Sequence, residues 1–309
     1  MLNEIFNVSV IIPVYNAENF IVRAVESVVE IAEAFEVLLI EDGSQDNSLK
    51  ICNQLAEKYN KVNVFRHRGG CNMGVASSRN LGIINASCNY VAFLDADDYY
   101  LPNRFEYDKK IFDLKPHADG VYGCNVEYFE TERAKDLYFT KRSNELTSIT
   151  KKISPEQLYR CLLFGGFGEF HTSTITLKKR VFQKVGLFNP NLRYGEDTEL
   201  WLKLALSCKL YNGSIDKPQS VRIVHEKNSI HEWDKIIPYR DLMYQFVFDW
   251  VIKQPVAFNI KNDFFTALYY HFKGRYKSAV TLLWKQLYRN PSMIFSSFLY
   301  KKFLLLLKS

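Results

Sequence analysis

Three short runs hold the residue types best suited to chemistry: Glu41-Asp42-Gly43-Ser44, Asp95-Ala96-Asp97-Asp98 and Gly195-Glu196-Asp197. Closely spaced carboxylates suit a hard divalent cation, which prefers oxygen ligands. They equally suit turns and helix caps, where acidic residues are common. Position separates the two readings. The first run follows the apolar segment Glu36 to Ile40, and the second follows Tyr90 to Leu94. A third apolar segment, Val8-Ser9-Val10-Ile11-Ile12, runs out into Pro13-Val14-Tyr15-Asn16.

The elements that must position these runs alternate between two periods. Val8 to Ile12 reads as a buried strand. Ile21, Ala24, Val25, Val28, Val29 and Ala32 then recur at helical spacing. Glu36 to Ile40 is a second strand, followed by a helix with Leu49, Cys52, Leu55, Ala56 and Tyr59 on one face. Val62 to Phe65 is a third strand, Gly74 to Ala86 a helix and Tyr90 to Leu94 a fourth strand. Pro102 suits the first turn of the next helix. Continuous apolar strands alternating with helices imply a mostly parallel sheet with flanking helices, an α/β class. Ligands of such sheets bind at the carboxyl ends of the strands. Residues 126–230 are less regular, and the polar stretch Thr131 to Lys152 reads as an exposed excursion. From about Asp234 the pattern is helical and aromatic.

One sheet edge therefore gathers an aromatic ring, a hydrogen-bond acceptor and a carboxylate cluster. Tyr15 can lie against a base, Asp42 can accept from a uracil N–H, Asp95 from ribose hydroxyls, and Asp97 can ligate the cation. That is a site for a nucleotide-sugar. A metal there acts as a Lewis acid on the leaving diphosphate. Transfer also needs a carboxylate to take the acceptor hydroxyl's proton. Asp197 heads an amphipathic segment anchored by Leu200, Trp201 and Leu204, with Glu196 and Glu199 as alternatives. The plainer readings are packing for Tyr15, a solvated helix position for Arg79, an N-cap for Asp197 and a structural role for His225. Asp46, Asn47 and Ser48 read as capping residues.

Five segments in order carry a resemblance: V-S-V-I-I-P-V-Y-N, E-D-G-S-Q-D-N-S, N-M-G-V-A-S-S-R-N, F-L-D-A-D-D and Y-G-E-D-T-E-L-W-L-K-L. Together they resemble the family 2 glycosyltransferases of GT-A fold, over about residues 7–230. The resemblance implies an inverting, metal-dependent transferase. It places Pro13, Tyr15 and Asp42 on the base, Arg79 near the base or diphosphate, Asp95 on ribose, Asp97 on Mn²⁺ or Mg²⁺, and Asp197 as the catalytic base. His225, in R-I-V-H-E-K-N-S, would face the metal or the diphosphate. Glu41 stands where the family often has Asp. The implied donor is a UDP-sugar carrying a hexose or N-acetylhexosamine. The implied acceptor is a glycan or lipid-linked glycan of a bacterial surface polysaccharide. The implied layout is a catalytic domain over 1–230, with a nucleotide-binding half (1–125) and an acceptor-binding half (126–230), then a helical region over 231–309.

Composition limits the alternatives. The chain has 309 residues and is 47% hydrophobic, enough for a sizeable core. A nicotinamide-binding sheet would need G-x-G-x-x-G after strand one, and Pro13 to Ala17 has no glycine. A glycosidase also uses paired carboxylates but has no need of a base-reading end. A binding or scaffold protein of the same fold is the remaining alternative, and Asp97 and Asp197 together argue against it. Six scattered cysteines without C-x-x-C spacing read as reduced thiols. The first fifteen residues lack a basic leader, and their short apolar run contains Pro13, so neither a signal peptide nor a span is expected. Past Asp263 there are eight basic residues and no acidic one; the formal +6 less these eight leaves −2 for residues 1–263. Basicity confined to a tail argues against nucleic acid and for an anionic membrane surface, and hence for a cytoplasmic protein peripheral to the membrane. Packing of the tail onto the catalytic domain, or onto a second copy as a homodimer, is the alternative.

Overall fold

The structure, a computed structural model, describes residues 5–139, 146–225 and 233–272. In chain order the elements are β1 (Val8–Val14), α1 (Ile21–Val29), β2 (Ala34–Glu41), α2 (Ser48–Lys58), β3 (Val62–Arg66), α3 (Val75–Asn85), β4 (Tyr90–Phe93) and β5 (Tyr99–Tyr100). There follow α4 (Glu106–Leu114), β6 (Gly120–Tyr122), β7 (Asn125–Phe129), α5 (Glu132–Phe139), β8 (Leu146–Thr147), α6 (Pro155–Phe164) and β9 (Ile175–Lys178). The last are α7 (Val181–Val185), α8 (Glu196–Ser207), β10 (Leu210–Asn212), β11 (Ser220–Val224), α9 (Trp233–Val251) and α10 (Phe258–Phe272).

The main sheet has seven strands in the order β10-β6-β9-β4-β1-β2-β3. Only β9 runs antiparallel to its neighbours, β4 and β6. Both faces of β1 are covered, which is why its sequence is apolar but for Ser9, whose hydroxyl donates to Glu36. Val8, Val10, Ile12 and Val14 join a core with Ile21, Ala24, Val25 and Val28 of α1 and Cys52 and Leu55 of α2. On the other face, Ile11 lies against Gly82 of α3, where any side chain would collide with it. A second sheet, β5-β11-β7-β8, stands beside the first. Strands of the two expected halves share sheets: β9 and β10, from 126–230, lie in the main sheet, and β5, from 1–125, lies in the second.

A buried arginine joins these parts below the strand ends. Arg104 donates to Asp108 at 2.7 Å and to the carbonyls of Ser173 at 2.9 Å and Ile175 at 3.0 Å. It thereby fixes the short 3₁₀ turn Thr172–Thr174 that enters the site.

Two local expectations change. Pro102 precedes α4 in a turn, and the helix begins only at Glu106. The polar stretch from Thr131 is not a plain excursion. It contains α5 and β8, and Ala134 and Tyr138 pack with Val224 and Phe129. Ala134 and Tyr138, four apart, share one face of α5, and Val224 of β11 and Phe129 of β7 cover it.

All six cysteines are described and none is in a disulfide; Cys71 is exposed and the other five are buried. By compactness the chain divides into Met1–Arg240 and Asp241–Ser309. The boundary expected near 230 lies outside the described residues. In the second unit, Asp241 pairs with His271 at 2.7 Å and Phe248 meets Phe265 at 5.8 Å between ring centres. Among the described residues no helix is long and apolar enough to cross a membrane. The basic tail beyond 272 lies outside them.

Candidate active site

The loops after β1 and β2 are laced together. Asn16, at φ 49, accepts from Gln45 N at 2.8 Å and donates its own N–H to Ser44 Oγ at 3.0 Å. Left-handed backbone at a non-glycine residue favours Asn, whose side chain can bond locally. Asp46 accepts from Ser48 N at the start of α2, as a cap would. Just before this lacing, Tyr15 stands 48% exposed, a ring available for stacking; Pro13 is partly exposed beside it.

Asp42 has partners within the chain. It is only 3% exposed, and its two oxygens accept from Met73 N at 2.7 Å and Gly74 N at 2.9 Å. His67 Nε2 lies 3.6 Å away. Asp42 therefore holds the 67–74 loop over Gly43. At Gly43, with φ 75, a side chain would come 2.7 Å from Gly70 O. Glu41, in place of the family's usual Asp, is fully buried and accepts from Ser44 N at 2.6 Å and Arg66 Nε at 2.7 Å. The longer side chain reaches both partners.

After β4 the four-residue run splits into three roles. Asp95 accepts from Arg79 Nη2 at 2.8 Å. Burial alone would raise its pKa, but Arg79 and then His171 pull it below the usual carboxylate range. Asp97 is 31% exposed, and its Oδ2 lies 3.4 Å from His225 Nε2. The His225 ring stacks on Phe20 at 5.2 Å. Asp98 is 2% exposed and accepts from Ile223 N at 3.1 Å and Ser173 Oγ at 3.2 Å. Burial, then Asp97 and Asp95, push its pKa well above the ordinary value.

Across from this loop α8 begins at Gly195, in left-handed conformation. Leu200, Trp201 and Leu204 are buried, as the sequence pattern requires. Glu196 is buried against Arg79 Nη1 at 2.7 Å. Burial, then the neighbouring Asp197, push its pKa up to about 7 despite that cation. Asp197 is partly exposed and meets Thr172 Oγ1 at 3.5 Å. Glu199 is fully buried with Lys203 beside it, which removes it as a base.

Two groupings offer metal ligands. Asp95, Asp98 and His171 have ligand atoms within 4.8 Å of one another. That trio is committed internally: Asp95 to Arg79, Asp98 to Ile223 and Ser173, and His171 Nδ1 to Ser173 N at 3.3 Å. Asp97 Oδ2 and His225 Nε2 form a second pair. Adjacent ligands of an ion bound at ~2.1 Å sit ~3 Å apart, and these atoms are 3.4 Å apart.

A sequence profile described as Glycosyl transferase family 2 matches residues 9–186. The chain belongs to glycosyl transferase family 2. Over 205 residues it is 29% identical to an uncharacterized glycosyltransferase of Rickettsia typhi, covering 66% of this chain and 60% of that one. It is 27% identical over 232 residues to the minor teichoic acid biosynthesis protein GgaA of Bacillus subtilis, covering 72% of this chain and 48% of GgaA. The chain thus spans between about half and three-fifths of the length of these relatives. Its fold matches S. aureus TarS 1-349, solved in complex with UDP-GlcNAc, with a TM-score of 0.66 at 19% identity over 86% of this chain and 73% of TarS. The architecture is that of the GT-A family 2 transferases, with C-terminal helices.

Of the residues singled out in sequence, Asp95, Asp97, His225 and Arg79 converge around the β4 loop, and Asp197 adjoins Arg79 through Glu196. Asp42 and Tyr15 lie at the ends of β2 and β1. The sequence reading missed His171, Thr172 and Ser173, which touch Asp95, Asp197 and Asp98. Their only local signal is a polar run, H-T-S-T, after a glycine-rich segment.

Proposed function

We propose that this chain transfers a hexose or N-acetylhexosamine from a UDP-linked donor by a single inverting displacement. The observation that carries the reading is the joining of two acidic segments. Arg79 bonds to both Asp95 and Glu196, which ties the loop bearing Asp97 to the helical turn bearing Asp197. Tyr15 stacks on the base. Asp42 accepts from the pyrimidine N–H with lone pairs that Met73 and Gly74 leave over. Asp95 turns its second oxygen to the ribose. Asp97 and His225 would hold Mn²⁺ or Mg²⁺, which supplies charge neutralisation on the departing diphosphate. Asp197, oriented by Thr172, takes the acceptor hydroxyl's proton.

The acceptor is a glycan or lipid-linked glycan of a bacterial surface polymer, a reading supported by the likeness to GgaA. The basic, aromatic tail would then lie on the anionic inner face of the membrane, close to such an acceptor. Co-sedimentation with anionic liposomes tests that part. Absence of binding at low salt would return the tail to a packing or dimerising role.

The main experiment incubates the full chain with a panel of nucleotide sugars, with and without Mn²⁺, and measures nucleoside diphosphate released. The expected result is metal-dependent release from a UDP-sugar. Preference for a GDP- or ADP-sugar overturns the donor assignment. Donor binding without release supports the scaffold alternative.

A further inference from the structure

The arginine of the S-S-R-N segment is withdrawn from solvent. Arg79 is buried, and its guanidinium is divided between two carboxylates. Nη1 donates to Glu196 Oε1 at 2.7 Å and Nη2 to Asp95 Oδ1 at 2.8 Å. The guanidinium carbon lies 5.3 Å over the Phe188 ring. Nε is buried and has no hydrogen-bond partner among the described residues. Burial opposes its charge, but Asp95, Glu196 and Asp197 more than offset this and raise its pKa. The next residue extends the grip: Asn80 Nδ2 donates to Phe188 O at 2.8 Å, and Asn80 Oδ1 accepts from Phe188 N at 2.9 Å.

The far end needs such a grip. The N-cap of α8 is Gly195, at φ 76, and no side chain caps the helix. Glycine gives this entry more conformational freedom than any other residue would. Three acids, Glu196, Asp197 and Glu199, crowd the first turn. The helix dipole favours them, but they repel one another. A planar cation reaching two carboxylates by separate donors both neutralises and orients them.

We propose that Arg79 is a positioning residue: through Glu196 it fixes the first turn of α8, and so Asp197, against the Asp95 loop. The proposal rests on the reading of Asp197 as base. It assigns Arg79 an internal role in place of contact with the base or diphosphate.

The test compares Arg79→Lys and Arg79→Met with wild type in the full chain. It uses UDP affinity, turnover at saturating donor, and hydrogen exchange of residues 196–199. In Arg79→Met, exchange there should quicken at least ~10-fold while β1 stays unchanged. Turnover should fall at least ~10-fold, and by a clearly larger factor than whatever UDP affinity is lost through Asp95. Arg79→Lys should fall between, and it carries the comparison if the Met variant does not fold. Adding Glu196→Gln to Arg79→Met should cost less than about twofold more, because the two act as one unit. UDP affinity falling in step with turnover, with exchange unchanged, overturns the proposal and makes Arg79 a nucleotide contact. Quickened exchange with full turnover overturns it too. If wild type releases nucleotide from no donor, the transferase reading fails, and the exchange arm alone decides the clamp: unchanged exchange at 196–199 refutes it.

Discussion

The loop after β4 and the first turn of α8 solve one problem in two ways. Each sets a carboxylate that faces the site beside one that is buried. After β4 the pair is Asp97 and Asp98; at α8 it is Asp197 and Glu196. The buried members differ in what holds them. Asp98 is held by neutral donors, Ile223 N and Ser173 Oγ, and its pKa is pushed well up by burial and its acidic neighbours. Glu196 is held by a cation, and burial and Asp197 still lift it to about 7. Asp98 ties its loop to the backbone of β11, and Glu196 ties the start of α8 to Arg79. Loss of the exposed member should cost activity, and loss of the buried one should cost order.

The largest effect tests this division at β4. Asp97→Ala should lose ~10³-fold or more in transfer, as removal of several kcal/mol of charge stabilisation implies. Its melting temperature should stay near wild type. Asp98→Ala should instead lower stability by about 1–3 kcal/mol, because it leaves a buried N–H unpaired. Nucleotide release and thermal unfolding measured on both variants decide it. Equal transfer by Asp97→Ala and wild type removes Asp97 from the metal site.

The next test lies at α8. Asp197→Asn should cut turnover by at least ~10²-fold and leave UDP affinity nearly intact. If affinity falls in step, Asp197 binds donor, and the proton must go to Glu196.

The smallest effect sharpens the contrast between the buried members. With its pKa near 7, Glu196 binds its proton more tightly in the folded than in the unfolded chain, whose carboxyl has its ordinary value of 4.5. Unfolding therefore releases a proton between these values. The contribution to stability is present below about pH 4.5 and lost as pH rises to about 7. Glu196→Gln lacks that dependence. The stability difference between variant and wild type should move in the variant's favour from pH 5 to pH 8, by about 3 kcal/mol at most. Denaturant unfolding at the two pH values measures it. A difference that does not change with pH means Glu196 stays ionised against Arg79 throughout.

The sequence by itself determined the first four strands, their order of appearance and the acidic runs that follow two of them. Buried parallel strands are apolar end to end, so β1, β2 and β4 were visible from local pattern alone. The same held for the buried stripe of α8. Even the family was legible, because five short segments recur in a fixed order. Only the tertiary structure decided which acid does what. Asp97 and Asp98 are the same residue type side by side, and the backbone of β11, 125 positions on, accounts for the difference. Arg79 looks like a solvated helix position because its partners lie 16 and 117 residues away. Asp42 looks like a free acceptor until the loop that folds over it supplies Met73 N and Gly74 N. The turn bearing Thr172 and Ser173 had no periodicity to reveal it; Arg104, from the turn before α4, holds it in place. Hydrophobic period is a local property and can be read along the chain. The role of a polar group depends on which donors surround it, and those arrive from distant segments only when the chain folds.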